Sequence, residues 1–264
     1  MAAEPESPLR IFATSAAIAV VCSVMVSASV AYFRPIQFAS AAFETNRDIL
    51  EAAGLIRRNE TVTLRTVTER LEHLEVRLAD LEAGAFVAGD DPASYDFMKA
   101  ATEPANSIEI PAQHDIAKLG RRSKLMPVYL AMEGDSIQTI VLPVYGKGMW
   151  SLIEGYIALS GDFLTIESLV IHEHGETPGI GDRIESSDWL DTWRGRQFAA
   201  DGHYVPLKIV TAAKTDATPQ AIDAITGATV STEGVVSLAN FWLGEAGYGP
   251  LLRTLSNNPG QPQR

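Results

Sequence analysis

The stretch that decides how this chain is interpreted lies late in the sequence and runs Asp223-Ala224-Ile225-Thr226-Gly227-Ala228-Thr229-Val230-Ser231. Its Gly-Ala step lets the backbone approach a ligand, because almost no side chain stands in the way. Hydroxyl side chains crowd this step, and an apolar helix is predicted to begin just after it. Since helix N-termini attract phosphate, the stretch predicts a phosphate site with a hydroxyl beside the phosphorus. The alternative from the residues alone is a solvated turn that caps the helix.

A second stretch follows a predicted strand and runs His172-Glu173-His174-Gly175-Glu176-Thr177-Pro178-Gly179-Ile180-Gly181. Pro178 fixes φ and Gly179 accepts a positive φ, so the pair predicts a tight turn with exposed backbone N–H groups. A metal site is one alternative, since His172, His174 and Glu176 would share one face of a strand. A structural turn without a ligand is the other.

Composition narrows the function classes. A chain of 264 residues suffices for one sizeable domain and an appendage. The formal net charge of -12 and the lack of a basic patch argue against nucleic-acid binding. The single cysteine, Cys22, excludes an internal disulfide and a multi-cysteine metal site within the chain.

An apolar segment near the N-terminus predicts a membrane-spanning helix. The segment 11–33 carries no charged residue, and at 1.5 Å per residue it can cross a bilayer core of about 30 Å. It exceeds the apolar core of about 7–15 residues in a cleaved signal peptide, so an uncleaved anchor is preferred. Cleavage after Val26-Ser27-Ala28 is the alternative. Arg10 and Arg34 flank the segment, so the positive-inside rule gives almost no orientation.

The segment behind the anchor predicts helices followed by a strand. Pro35 is expected to end the first helix, and a second helix is predicted over Phe43–Ile56. Apolar residues at spacings of three and four over Leu64–Leu81 are also typical of a short coiled coil. Partial alternation after Glu75 favours a helix to about His73 and then a strand.

The remainder predicts an α+β domain outside the membrane. The run Gly89–Gln113, rich in Asp, Pro and Ala, predicts a surface loop with a short helix near Phe97–Ala101. Strand patterns cover Pro127–Leu130, Thr139–Val144, Phe163–His172 and Tyr204–Val210, and a further apolar segment covers Trp150–Leu159. Helical patterns cover Trp189–Gly195 and Val235–Leu243.

Three further runs complete a pattern known from one protein family. They are Gly146-Lys147-Gly148-Met149-Trp150-Ser151, Phe241-Trp242-Leu243-Gly244 and Gly247-Tyr248-Gly249-Pro250. With the two stretches above, they give a chain that resembles the C subunits of sodium-translocating NADH:quinone reductases from the anchor to about Leu252. Thr226 stands where serine is common in that family. Gly181-Asp182-Arg183 is closer to the related G subunit of Rnf electron-transport complexes.

The resemblance implies one FMN, held covalently through a phosphoester. The family's flavinylation motif begins at Asp223 and places Thr226, Gly227 and Ala228 before Thr229, which would carry the FMN. Further cofactor contacts implied by the resemblance are Ser231, Glu176, Thr177, Pro178, Gly179, Trp150 and Ser151. Trp150 would stack on the isoalloxazine, with a place in the protein core as the alternative. No catalytic residue and no metal are expected in this chain.

The resemblance also implies an electron-carrying subunit of a six-subunit pump in the bacterial inner membrane. The complex would oxidise NADH, reduce ubiquinone and move sodium, and this chain would handle none of these directly. A separate flavin transferase, which uses FAD and magnesium, would attach the FMN. The soluble domain would face the periplasm. Two alternatives stay open: an Rnf-type G subunit, and a membrane-anchored FMN-binding sensory module without pump activity.

The predicted organisation has five segments. They are a cytoplasmic N-terminus (1–10), a transmembrane helix (11–33), a helical and loop-rich membrane-proximal part (34–125), an FMN-binding core (126–252) and a flexible C-terminal tail (253–264).

Overall fold

The computed structural model describes residues 7–88, 91–200, 203–211 and 218–257. The chain forms two compact units, Met1–Glu44 and Thr45–Arg264. The first unit consists mainly of helix α1 (Pro8–Ala52), which continues into the second. The apolar part of α1 has a mean hydropathy of 2.2 and is not buried within the protein. By length and composition α1 is able to cross a membrane, as the sequence predicts.

Helix α1 is longer than predicted. Pro35 lies inside it, so the predicted break at Pro35 and a separate helix over Phe43–Ile56 are wrong. Proline removes one backbone hydrogen bond and is able to kink a helix without ending it. The helix ends at Ala52, where Gly54 adopts a positive φ of 73° and Leu55 N–H returns to the Leu50 carbonyl at 2.9 Å. Such a left-handed glycine is the common C-terminal stop of a helix.

A six-stranded antiparallel sheet forms the centre of the second unit. Its strands are β1 (Leu74–Asp80), β2 (Ala85–Val87), β5 (Leu125–Glu133), β6 (Ser136–Lys147), β7 (Leu152–Ser160) and β8 (Ile166–Glu173). They lie in the order β2-β1-β5-β6-β7-β8. Strand β1, from the predicted membrane-proximal part, thus pairs with β5 of the predicted core. The predicted segment boundaries stay a prediction.

Three two-stranded sheets complete the β structure of the described residues. The first pairs β3 (Ser107–Glu109) with β4 (Arg121–Ser123), and the second pairs β9 (Ala199–Ala200) with β10 (His203–Tyr204), both antiparallel. The third pairs β11 (Lys208–Val210) with β12 (Ala221–Asp223) in parallel. The single strand predicted over Tyr204–Val210 is therefore divided between β10 and β11. Pro206 lies between them and has no N–H for a ladder.

Shorter helices complete the second unit. They are α2 (Leu64–Leu71), α3 (Phe97–Thr102), α4 (Ser187–Leu190), α5 (Thr229–Leu243) and α6 (Gly249–Asn257). Short 3-10 turns occupy Pro92–Ser94, Gly181–Glu185 and Asp191–Trp193. Helix α5 packs closely on β6, since a Cβ added at Gly146 would lie 2.6 Å from Leu238 Cβ. Trp242 on α5 and Ile140 and Leu142 on β6 are fully buried.

The α+β class predicted from the sequence is confirmed. The helix-then-strand interpretation of Leu64–Leu81 is also confirmed, because α2 ends at Leu71 and β1 starts at Leu74. The coiled-coil alternative is wrong. Helix α6 was not predicted, and the predicted tail 253–264 begins within it, with residues 258–264 outside the described part of the chain.

Candidate functional site

A cavity of about 310 Å³ lies where three segments of the second unit meet. The segments are the turn between β6 and β7, the loop after β8, and the start of α5. The residues that line it are Met149, Trp150, Glu176, Thr177, Ile180, Gly181, Gly227, Ala228, Thr229, Val230 and Ser231. This volume is at the lower end of the range of about 300–1,000 Å³ that is typical of small-molecule sites. The two stretches singled out in the sequence are thus brought together.

The start of α5 forms one wall of the cavity. Thr229 is the first helical residue, and Ala228 before it provides no side-chain cap. The first turn of α5 contains no acidic side chain. The first N–H groups of a helix have no acceptor within it, and they carry a partial positive charge that attracts anions. The exposed Thr229 is therefore placed where an anion such as phosphate is stabilised.

The turn before α5 depends on Gly227. Its φ is +85°, and a Cβ added there would meet no atom within 4 Å, so backbone conformation and not space requires glycine. The helix begins at Thr229, ahead of the Val235 predicted from its apolar pattern. Ser231 and Thr232 consequently lie inside the helix and do not cap it. The Thr232 hydroxyl donates instead to the Ala228 carbonyl at 2.8 Å.

Glu176 connects the three walls. Its side chain is buried, and Oε1 accepts hydrogen bonds from the N–H groups of Met149 at 2.9 Å and Trp150 at 3.2 Å. Oε2 accepts one from the Ser231 hydroxyl at 2.5 Å. The backbone N–H of Glu176 donates to His174 Nδ1 at 3.0 Å. Glu176 and Ser231 line the cavity with polar groups that are already paired within the protein.

An exposed apolar rim surrounds the cavity. Trp150 is 63 % exposed, and the rim is completed by Met149, Ile180 and Val230, each about half exposed. The Trp150 indole N–H donates to the Thr177 hydroxyl at 3.0 Å, which fixes the ring over the loop after β8. Trp150 is therefore not a core residue. Exposed apolar side chains beside a cavity mark a ligand groove, and an aromatic ring gives a flat contact surface.

Five residues predicted to take part in the site do not line the cavity. They are Ser151, Pro178, Gly179, Asp223 and Thr226. The Ser151 hydroxyl accepts from Gly175 N–H at 2.6 Å and thereby holds the loop after β8. Asp223 ends β12, and its carbonyl accepts from the Trp189 indole at 2.8 Å. These residues shape the segments around the site, and a direct contact with a cofactor stays a prediction.

The structure adds three lining residues that the sequence did not single out, Met149, Ile180 and Val230, together with Gly181, one of the glycines of the second stretch. Arg183 also lies beside the site, where its guanidinium donates to the Thr226 carbonyl at 2.9 Å. The sequence did contain a signal for Met149, Ile180 and Val230. Each is a large apolar residue in or beside a glycine-rich loop, outside the segments that are predicted to form the core.

The metal alternative has no support in the described part of the chain, where no group of three potential ligands is found. His172 turns toward α1, with Nδ1 2.8 Å from Asp48 Oδ2 and Nε2 3.2 Å from the Thr45 hydroxyl. The hydrogen bond to Asp48 raises the pKa of His172, and burial opposes this. His174 Nε2 lies 2.5 Å from Glu185 Oε1. The two histidines therefore contact different carboxylates on different segments of the chain.

Comparisons with known proteins agree with this geometry. The family model described as "FMN-binding domain" matches residues 148–244, a range that contains every residue lining the cavity. The C subunit of the Na(+)-translocating NADH-quinone reductase of Vibrio vulnificus strain YJ016 is 35% identical over 235 residues, covering 89% of this chain and 90% of that protein. The corresponding C subunit of Pseudomonas aeruginosa is 32% identical over 257 residues, covering 96% of this chain and 98% of that protein.

A solved structure is also similar. The crystal structure of Shewanella oneidensis NqrC superposes with a TM-score of 0.75 and 30% sequence identity, covering 83% of this chain and 100% of that one. The likeness therefore extends over most of this chain.

Proposed function

This chain belongs to the family of C subunits of the Na(+)-translocating NADH-quinone reductase, and from that premise we propose that it carries one FMN covalently on Thr229 and relays electrons within the complex. The reductase is an oxidoreductase complex, and this chain is one component of it without a complete activity of its own. The relatives favour a C subunit over the Rnf-type G subunit.

The observation that carries the proposal is the position of Thr229. It is the first residue of an uncapped helix, it is exposed, and it opens onto a cavity with an apolar rim. A phosphate ester on its oxygen would lie against the free N–H groups of the first turn. A flat ring attached to that phosphate would find Trp150 and Ile180 on the rim. The residues present therefore fit a tethered flavin nucleotide.

Each residue has a distinct task in this arrangement. FMN, when bound, supplies electron transfer that no amino-acid side chain here provides. Thr229 provides the tether, and Gly227 gives the phosphate and the transferase close access to the backbone. Trp150 and Ile180 cover the ring from water. Ser231 stabilises the protein side of the cavity and is not free to contact phosphate, because its hydroxyl donates to Glu176.

Attachment needs a second protein. A threonine hydroxyl is too weak an acid to react unaided, so activation must come from a flavin transferase. With FAD as donor, the Thr229 oxygen bonds to the phosphorus of the FMN half, the pyrophosphate bond breaks, AMP leaves, and the hydroxyl proton passes to a base of the transferase. The product keeps its flavin outside the cytoplasm, where lost FMN is difficult to replace.

The cellular context belongs to the same proposal. We place the chain in the bacterial inner membrane with α1 as a single span and the second unit in the periplasm, in contact with other membrane subunits. The exposed, apolar α1 supports the span. NADH, ubiquinone and sodium are assigned to other parts of the complex.

The test is the intact mass of the full chain, coexpressed with a flavin transferase. The wild type is expected to gain the mass of one FMN phosphoester, and Thr229→Ala is expected to gain none. Ser187→Ala is the control, since it removes an exposed hydroxyl that lies outside both the motif and the cavity, and it should keep the adduct. An adduct that survives in Thr229→Ala contradicts the proposed tether.

A second measurement separates the pump component from the sensory alternative. Purification of the tagged chain from its native membrane should bring the other subunits of the complex with it, together with sodium-dependent NADH oxidation. A flavinylated chain that is isolated alone, with no such activity in the membrane, would favour the sensory module.

A further inference from the structure

We propose that Glu176 is a positioning residue that assembles the flavin site before FMN arrives. Its buried carboxylate would hold the three walls of the cavity in fixed positions relative to one another, so that Thr229 is accessible for attachment. The identity of the ligand rests on the function proposed above, whereas the assembly of the walls is a property of this chain alone.

The first support is the convergence of donors on one carboxylate. Met149 and Trp150 come from the turn after β6, Ser231 comes from the first turn of α5, and Glu176 itself lies on the loop after β8. Hydrogen bonds to an ionised acceptor are roughly twice as strong as neutral ones. At 4 % exposure the carboxylate has little access to water, so its removal would leave buried donors without a partner.

The second support is the space that two glycines leave for this side chain. A Cβ added at Gly148 would lie 2.5 Å from Glu176 Oε1. A Cβ added at Gly181 would lie 2.9 Å from both Glu176 Cβ and the Ser231 hydroxyl oxygen. Neither glycine has a positive φ, so close approach to side chains is what these positions require: to Glu176 at both, with Ile153 Cδ1 at 2.8 Å as a second neighbour of Gly148. The loops are thus shaped around the carboxylate.

A consequence follows for where an anion binds. The carboxylate occupies the N–H groups of Met149 and Trp150 and the hydroxyl of Ser231, so these donors are not available to phosphate. Its negative charge also repels an anion from that side. The free N–H groups at the start of α5 remain, and they lie beside Thr229. Glu176 would therefore direct the phosphate to the tether without touching it.

The test compares three variants with one control in the full chain. Glu176→Ala removes the acceptor. Glu176→Gln keeps an oxygen for the two backbone N–H groups, and its amide is able to donate to Ser231. Ser231→Ala removes only the hydrogen bond between α5 and the carboxylate. Glu233→Gln is the control, since it neutralises an exposed carboxylate on the same helix.

The first readout needs no flavin. Hydrogen exchange of the segment 148–151 is measured in protein made without a transferase, and Glu176→Ala is expected to exchange about tenfold faster or more. Glu233→Gln should exchange like the wild type, and Glu176→Gln should exchange at a rate between those of the wild type and Glu176→Ala, because a neutral amide oxygen is a weaker acceptor than a carboxylate. Ser231→Ala should leave 148–151 protected and loosen only the start of α5. Exchange in Glu176→Ala that equals the wild type would overturn the proposal, as would Glu176→Gln behaving like Glu176→Ala.

The second readout is the rate of FMN attachment, followed by intact mass with a transferase present. We expect a loss of about tenfold or more in Glu176→Ala and an intermediate loss in Ser231→Ala, with Glu176→Gln restoring most of the rate. Equal rates in Glu176→Ala and the wild type would overturn the positioning role. If Thr229→Ala keeps its adduct, the proposed function fails, and exchange in the unmodified protein still decides the role of Glu176.

Discussion

The two ends of helix α5 are built in opposite ways. At the C-terminal end, Trp242 is fully buried, and its indole N–H donates to the Tyr145 carbonyl at 2.7 Å. Tyr248, just beyond the helix, is equally buried and donates to the Pro143 carbonyl at 2.8 Å. At the N-terminal end, Thr229 and Val230 are exposed and no side chain caps the helix.

The difference shows how the fold supports an open site. An uncapped helix start costs about 0.5–2 kcal/mol relative to a capped one. Burial and hydrogen bonding at the other end hold α5 against β6, with the Trp242 ring 4.9 Å from Tyr145 and 5.4 Å from Tyr248 between centroids. The open end is therefore free to keep its N–H groups for a ligand. Stability and binding are separated along one helix.

The largest effect expected from this separation concerns two tryptophans. Trp242→Ala should lower the free energy of unfolding by about 3–5 kcal/mol, because it opens a large cavity in the core and leaves the Tyr145 carbonyl unpaired. Trp150→Ala should change it by about 0.5 kcal/mol or less, because Trp150 is largely exposed. Denaturant unfolding of the full chain in detergent measures both.

For the exposure of the flavin ring to water, the same two variants should show the opposite order: Trp150→Ala should have the larger effect. With FMN attached, Trp150→Ala is expected to expose the ring to water and to raise the quenching of its fluorescence by iodide. Folded Trp242→Ala should show the quenching of the wild type. A Trp150→Ala variant that is as unstable as Trp242→Ala would break the contrast between the two ends.

A smaller loss of stability is expected for alanine substitutions at two glycines, Gly247 near the C-terminal end of α5 and Gly181 near its N-terminal end. An added Cβ at Gly247 would collide with the backbone of Trp242, and backbone is unable to move aside cheaply. Gly247→Ala should therefore cost about 1–3 kcal/mol of stability. At Gly181 the added Cβ meets side-chain atoms of Glu176 and Ser231, so Gly181→Ala should cost less stability and slow FMN attachment. Thermal unfolding and intact mass, measured on both variants, decide whether the two losses separate in this way.

The site was more predictable than the fold around it, and particular residues show why. The turn at Gly227 and the position of Thr229 are local features, because a positive φ and a helix start depend on a few neighbouring residues. The start of α5 at Thr229 was missed, because the hydroxyl residues of its first turn lack an apolar pattern. The sequence predicted Glu176 as a site residue but not that its carboxylate is buried and bound by three segments.

Two parts of the fold show what a short window of sequence leaves open. Pro35 has the local signal of a helix end, yet α1 continues through it. The leucine spacing from Leu64 onward also suits a coiled coil, but the alternation after Glu75 correctly indicated a strand. The partner of that strand, β5, lies far along the sequence and leaves no trace in a short window.

The smallest predicted effect concerns a contact at neither end of α5, the pair of His172 on β8 and Asp48 on α1. The Asp48 hydrogen bond raises the pKa of His172 above its ordinary value of 6.5, with further support from the charges of Glu154 and Glu173 and with burial in opposition. The folded protein therefore binds this proton more tightly than the unfolded chain. The stability gained is fully present below pH 6.5 and is lost as the pH rises through the folded-state pKa.

The expected result is a gradual fall in the unfolding midpoint of the wild type that begins near pH 6.5, the ordinary pKa of histidine, and continues as the pH rises through the raised pKa of His172. Asp48→Asn should flatten that fall, because the amide keeps a hydrogen-bond acceptor but removes the charge that holds the proton. Burial raises the pKa of Glu154 above 4.5, and the charge of Glu173 adds to the rise, so the contribution of Glu154 to stability also falls as the pH rises. Glu154 is present in both proteins, and the difference between their slopes therefore reports the pair of His172 and Asp48. FMN attachment should be equal in Asp48→Asn and the wild type, since neither residue of the pair lines the cavity. Equal slopes in the two proteins would mean that the pair does not couple α1 to the sheet through charge. The end of α1 would then be held by other contacts, among them the burial of Ile49 and Leu50 and the hydrogen bond from the Ser168 hydroxyl to the Ala52 carbonyl at 2.8 Å.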